Sequence, residues 1–300
     1  MLNISCHSCG RLLTTLSSIP KFRNLKNFHF FENYNLHVSR PSIRFMTSQS
    51  NIEYEAEKFS KLAENWWDEN GAMKALHSMN RVRVPFIRDG LISMGCGEPY
   101  TSKPLQGIKI LEVGCGAGVL CEPLARLGAS VLGIDASDNV LEVAKIHRDG
   151  NTELSDLQYI DADLEDIVGA GTLRFHAVVA SEVVEHVEDK TKFINNCCSL
   201  LMPNGSLFLS TINRTQVSYL LAVLMAEEVL GVVPPGTHDW EMFVTTDEIK
   251  SYLNQGNCEI QKIVGMNYNP LNNKWTKCQN TSVNYILHAV KKNDINADTE

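Results

Sequence analysis

Three side chains able to do chemistry stand together in the run SEVVEH: Glu182, Glu185 and His186, directly after Ser181. Their spacing is i, i+3 and i+4, which on a helical turn sets all three on one face. Two carboxylates and an imidazole can hold a divalent cation with positions left open, and carboxylates suit a hard ion such as Mg2+. The same stretch can also work without metal, with the acid and the imidazole shaping a pocket and His186 acting as a general base. A second set lies upstream. Gly114, Gly116 and Gly118 strip a turn of side chains, so a ligand can press against backbone N–H groups at a helix N-terminus. Asp135 ends the next apolar run, where it is placed to accept hydrogen bonds from ribose hydroxyls. Together these residues point to an adenosine-bearing cofactor. Arg83 could pair its planar fork with a carboxylate of that cofactor, or form a surface salt bridge.

These residues need elements to position them, and the apolar pattern supplies them. A strand over 108–113, a helix over 119–127 and a strand over 130–135 form a β-α-β unit around the glycine turn. The alternation continues with a helix over 138–147, strands over 157–161 and 175–181, a helix over 190–201 and a strand over 205–211. Such alternation predicts a parallel sheet with helices on both faces, whose ligands lie beyond the C-terminal strand ends. Gly114, Asp135, Asp161 and Ser181 all fall at those ends. Before this unit, helices are expected over 51–66 and 79–91, and Pro99 and Pro104 bracket a linker. After Asn213 the pattern changes. Residues 217–233 form an unusually apolar helix candidate that Pro234-Pro235-Gly236 stops. It reads as a core or lid helix, a partner-binding helix, or an interfacial membrane helix. Strands over 257–266 and 282–290 close the sheet, antiparallel in part, around a loop from Asn267 to Thr281. His238-Asp239-Trp240 could line a substrate site, whereas Trp66, Trp67 and Trp240 read more simply as packing residues.

Composition narrows the classes. A chain of 300 residues, 44% hydrophobic, suits one α/β domain with extensions. The net charge of −8 disfavours non-specific nucleic-acid binding, so no nucleic-acid partner is expected. No apolar run is long and clean enough to span a bilayer. Residues 1–45 differ from the rest: Arg11, Lys21, Arg23, Lys26, Arg40 and Arg44 face a single acid, Glu32, in a segment rich in Ser, Thr, Asn and His. That is the pattern of an organelle transit peptide, or of a plain disordered tail. The domain reading is a transit segment over 1–45 and one catalytic domain over 46–300. Its extensions are the N-terminal helices (51–94) and an apolar helical insertion (213–240). Of nine cysteines, Cys6 and Cys9 form a lone C-x-x-C, and the others lack metal-like spacing, so free and mostly buried thiols are expected.

The glycine spacing separates cofactor classes. In a dinucleotide G-x-G-x-x-G fingerprint the third glycine would fall on Val119. No Gly-Lys-Ser/Thr follows, which removes a phosphate-binding P-loop. G-x-G-x-G after Glu112 resembles instead the first motif of class I S-adenosylmethionine-dependent methyltransferases. The runs FSKLAENWWDENGAMKALHSMNRVRVPFI, EVGCGAG, EVVEHVED, STINRT, PPGTHDWEMF, NYNPLNNKW and VNYILH, in this order, resemble the ubiquinone biosynthesis O-methyltransferases from about residue 53 to 290. The resemblance implies a class I methyltransferase α/β fold: a seven-stranded, mostly parallel sheet with helices on both faces and the last strand antiparallel. It implies methyl transfer from S-adenosylmethionine to catechol hydroxyls of polyprenylated rings, namely 3,4-dihydroxy-5-polyprenylbenzoate and demethylubiquinol. It carries cofactor contacts onto Arg83, Gly114, Asp135 and Ser181, and a Mg2+ site onto Glu182, Glu185 and His186; Gly116 joins the cofactor set through the glycine turn, and the catalytic candidates are Glu182 as a metal ligand and His186 as the general base if no metal binds. It also implies a mitochondrial enzyme on the matrix side of the inner membrane, within a multi-enzyme ubiquinone-synthesis complex, with peripheral membrane contact through residues 217–233. Other classes compatible with the motifs are a methyltransferase for another small phenol or acid, a nicotinamide oxidoreductase, and a non-catalytic scaffold that keeps the cofactor fold.

Overall fold

The structure, a computed structural model, describes residues 64–218 and 240–293. The proposed transit segment, most of the 51–66 helix and nearly all of the 217–233 helix lie outside the described residues, as do His238 and Asp239. A helical turn over 64–67 leads into α1 (Lys74–Ser93), whose buried residues Met79, Val82, Phe86, Ile87 and Leu91 recur at helical spacing. Then follow β1 (Lys109–Val113), α2 (Cys121–Arg126), β2 (Ser130–Asp135), α3 (Asp138–Asp149), β3 (Leu157–Asp161), α4 (Leu164–Gly169) and β4 (Phe175–Ser181). After a single 3-10 turn at Val184–His186 come α5 (Lys190–Ser199), β5 (Leu201–Ile212), α6 (Thr246–Gln255), β6 (Cys258–Asn269), β7 (Lys274–Cys278) and β8 (Asn284–Lys291).

The eight strands form one sheet in the order β3-β2-β1-β4-β5-β8-β6-β7. β3, β2, β1, β4 and β5 run parallel, and β8 runs antiparallel between β5 and β6. The helices divide by face. Leu124 of α2 and Leu141 of α3 pack with α1 on one side; Leu164, Phe193, Ile249 and Leu253 of α4, α5 and α6 pack on the other. The continuous apolar runs of β1, β2 and β4 follow from this, because strands covered on both faces need no polar alternation.

Two expectations are corrected. The sheet has eight strands where seven were expected, because the stretch read as a loop from Asn267 to Thr281 carries the end of β6 and all of β7. The two pair antiparallel from Gly265↔Cys278 to Asn269↔Lys274. β7 is an edge strand with only half-buried and exposed side chains, so it lacks the apolar signature of a core strand. It is anchored on α1: Trp275 Nε1 donates to the Ala75 carbonyl at 2.9 Å and Asn273 Nδ2 to the Lys74 carbonyl at 3.2 Å. The second correction adds helices α4 and α6, which were not expected. α6 starts at a capping box in which Thr245 and Glu248 hydrogen-bond each other's backbone N–H groups.

Candidate functional site

The parallel register brings the tips of β1, β2, β3 and β4 to one edge of the sheet, with Val113 beside Ala180 and Asp135 beside Asp161. Beyond these tips lies the glycine turn. Gly114, Gly116 and Gly118 all have positive φ, at 67°, 54° and 82°. A Cβ at Gly114 would meet Val183 Cγ2 at 2.6 Å, and one at Gly118 would meet the Tyr159 hydroxyl at 2.0 Å. Gly114 and Gly118 are demanded both by conformation and by space, Gly116 by conformation. The turn is tied to β2: the Gly116 N–H donates to Asp135 Oδ2 at 2.9 Å, and the Ser137 N–H donates to Asp135 Oδ1 at 2.9 Å. A carboxylate has about four acceptor positions, so two backbone donors leave Asp135 able to accept more. The predicted residues Gly114, Gly116 and Asp135 therefore form one cradle of backbone and carboxylate.

Arg83 and Ser181 also meet. Arg83 comes from α1 and is buried, with Nη1 donating to Ser181 Oγ at 2.7 Å. Nε and Nη2 both donate to Asn80 Oδ1, at 3.0 and 2.6 Å, and the Asn80 amide donates to the Val119 carbonyl just past the glycine turn at 2.7 Å. From Ser181 the hydrogen bonds continue to Ser210 Oγ at 2.6 Å and from Ser210 to Glu182 Oε1 at 2.6 Å. Burial works against the charge on Arg83, and the carboxylates of Glu182 and Glu112 work for it. Arg83 is thus not a surface salt bridge. Asn80, Ser210 and Thr211 were not foreseen as site residues. Asn80 lies three residues before Arg83 on the same helix, and the other two lie on β5, the neighbour of β4; only the strand order shows this.

Glu112, which precedes the turn, is 3% exposed, and its Oε2 has no hydrogen-bond partner. Burial pushes its carboxyl up to about 7, against the pull of a Cys121 thiol hydrogen bond and of Arg83, with Asp135 adding to the rise.

The cluster after β4 is arranged differently from a helical face. Glu182 precedes the 3-10 turn with φ 58°, and its N–H donates to the Ser210 carbonyl at 2.9 Å. Glu185 is buried and accepts from Thr211 Oγ1 at 2.8 Å. His186 is exposed. One short turn cannot align the three as an α-helix would, and among the described residues no three His, Cys, Asp or Glu side chains form a group able to hold a metal ion. The two acids nonetheless feel each other: the Glu185 carboxyl is pushed up to about 8, by burial first and then by the charge of Glu182. In donor chemistry, this carboxylate pair fits a hard divalent cation, which would offset their repulsion.

A methyltransferase-domain family model matches residues 88–263. The chain is 46% identical to the bovine (Bos taurus) mitochondrial ubiquinone biosynthesis O-methyltransferase over 266 residues, covering 88% of this chain and 70% of the relative. It is 43% identical to the ubiquinone biosynthesis O-methyltransferase of Methylobacterium sp. (strain 4-46) over 235 residues, or 78% of this chain and 93% of that one. Among solved structures, the magnesium protoporphyrin IX methyltransferase of Synechocystis PCC 6803 superposes with a TM-score of 0.56 at 19% identity. That match covers 82% of this chain and 100% of the other, and shows the shared fold.

Proposed function

Because the chain belongs to the ubiquinone biosynthesis O-methyltransferase family, we propose that its strand-tip site transfers a methyl group from S-adenosylmethionine to a catechol hydroxyl of a polyprenylated ring. Methyl transfer to oxygen in ubiquinone biosynthesis is the activity of the family. The acceptors in this reading are 3,4-dihydroxy-5-polyprenylbenzoate and demethylubiquinol. The observation that carries the cofactor assignment is the cradle: a turn cleared of side chains at Gly114, Gly116 and Gly118, backed by the Asp135 carboxylate. S-adenosylmethionine supplies an electrophilic methyl carbon on sulfonium sulfur. The protein's part is to bind and orient. Asp135 accepts from the ribose hydroxyls, the glycine turn lets the cofactor approach the backbone, and Arg83, held by Asn80 and Ser181, faces the cofactor's carboxylate.

A catechol hydroxyl must lose its proton to attack, and His186, exposed beside the strand tips, is the base in this reading. Glu182 and Glu185 would hold a Mg2+ ion, which would stabilise a catecholate oxygen as a Lewis acid. Support for the cation is the paired acidic chemistry of Glu182 and Glu185 alone; the three-ligand set expected from spacing, with His186 as the third donor, is not gathered among the described residues. The mitochondrial names of relatives and the basic, acid-poor segment 1–45 support a mitochondrial protein whose catalytic domain spans 46–300. Peripheral contact with the matrix side of the inner membrane through 217–233, and membership of a multi-enzyme complex, belong to the same reading. No helix of the described residues is long and apolar enough to cross a membrane.

The test is transfer of labelled methyl from S-adenosylmethionine to a short-prenyl 3,4-dihydroxybenzoate. Transfer is expected, and its absence despite cofactor binding would overturn the acceptor. Calorimetric titration with Mg2+ tests the cation: binding is expected for the native chain and loss of it for the Glu182→Gln, Glu185→Gln double variant. Full transfer in the presence of a chelator would overturn the cation and leave proton removal to His186 alone.

A further inference from the structure

The glycine turn is the most permissive stretch of backbone in the site, with three positive-φ glycines in five residues, Gly114 to Gly118. Only two of its residues carry side chains by which the fold can grip it. Cys115 is buried in the core beneath, among Cys121, Leu141 and Tyr159. Ala117 points the other way and clusters with Val140 and Val143 of α3 and with Trp66 and Trp67. The outer grip on the turn is therefore shared by Val140 and Val143 of α3 and by a tryptophan pair more than forty residues earlier in the chain.

That pair is itself clamped. The indole of Trp67 lies flat on the imidazole of His147, with centroids 3.6 Å apart and planes 2° from parallel. His147 Nδ1 is 2.6 Å from Glu122 Oε1, and this Glu122 side chain is 1% exposed. Glu122 belongs to α2, the helix that the glycine turn opens. From the other side His77 of α1 donates from Nε2 to the Trp66 carbonyl at 2.7 Å and meets Trp67 edge to face at 5.6 Å. Trp67, His77, Glu122 and His147 also line a cavity of about 620 Å3. Trp67 thus borders open space on one side, where these directed contacts hold it, while the pair packs against the Ala117 and Val143 cluster on the other.

We propose that Trp67 is a positioning residue for the cofactor: stacked on His147 and through it tied to Glu122, it presses the N-terminal cap onto Ala117 and holds the glycine turn in its binding geometry. The proposal rests on the reading that this turn binds S-adenosylmethionine. Loss of the stack frees the turn, and the cofactor must then order it on binding, which weakens affinity. The acceptor side, built on Glu182, Glu185 and His186, is not touched by the stack.

The test is calorimetric titration of the full chain with S-adenosylmethionine, with KM for cofactor and acceptor measured in parallel. Trp67→Leu is expected to weaken cofactor binding by about tenfold while acceptor KM stays within about twofold. His147→Leu should do the same, and the double variant should be little worse than either, because the two residues form one strut. Trp67→Phe, which keeps a ring on His147, should stay within about twofold of the native chain. Native cofactor affinity in Trp67→Leu would overturn the proposal, as would losses in the two single variants that simply add. Failure of the native chain to bind S-adenosylmethionine would overturn the underlying reading instead. Should Trp67→Leu not fold, His147→Leu carries the test alone, with an unchanged cofactor KM as the overturning result.

Discussion

Arg83 Nη1 donates to Ser181 Oγ at 2.7 Å, joining α1 to the tip of β4 across 98 residues of chain. The bond sets a buried guanidinium at the head of a hydrogen-bonded line that runs through Ser181 and Ser210 to Glu182. A planar fork serves Asn80 and Ser181 together, which a single ammonium cannot reproduce. Arg83→Lys should therefore weaken S-adenosylmethionine binding by about tenfold or more, read by calorimetric titration. The sheet should remain folded, as judged by an unchanged far-UV circular dichroism spectrum.

Gly116 and Gly118 share a motif but not a constraint. A Cβ at Gly116 meets nothing nearer than Val140 Cγ1 at 3.9 Å, whereas one at Gly118 falls 2.0 Å from the Tyr159 hydroxyl. Gly116→Ala should cost only the left-handed backbone strain, about 1–2 kcal/mol. Gly118→Ala adds overpacking against a buried tyrosine, for a total of about 3 kcal/mol or more. Denaturant unfolding of the two variants measures the difference, and equal losses would show that Tyr159 moves aside.

Glu112 predicts a pH dependence of stability. Its carboxyl is pushed up to about 7 by burial, above the ordinary value of 4.5 that it regains on unfolding. Between those values the folded state keeps a proton that the unfolded state has lost. Stability therefore falls as pH rises from about 4.5 to 7, by about 1.4 kcal/mol per pH unit at most, and is flat beyond. Glu112→Gln removes this slope. Unfolding curves at pH 5 and pH 8 should show the variant gaining on the native chain at the higher pH, and parallel curves would refute the assignment.

The parallel core of the fold was readable because its strands are covered on both faces and appear as unbroken apolar runs; β2 over Ser130–Asp135 and β4 over Phe175–Ser181 fall where the pattern sets them. β7 was not readable, because an edge strand of sequence KWTKC buries too little to leave a pattern. α6 carried a legible signal that went unread, the Thr245–Glu248 capping box. In the site, the spacing of the glycines and the end of β2 located the cradle. The chain of partners around Arg83 depends on β5 lying beside β4, a long-range pairing with no local trace. The i, i+3, i+4 rule misplaced Glu182, Glu185 and His186 because it presumes an α-helical turn, and the backbone there turns through a left-handed Glu182 into one 3-10 step.

The position of β8 bears on how the protein is made. Among the described strands it is the last to leave the ribosome, yet its place is in the interior of the sheet, between β5 and β6. Until residues 284–291 emerge, β5 and β6 each expose a ladder edge that the finished molecule never shows. From the end of β5 at Ile212 until β8 emerges, a nascent chain thus holds its sheet open at that edge, a state prone to pairing with neighbours and in need of chaperone cover. Stop codons between residues 212 and 284 should for this reason yield aggregates rather than shortened enzymes.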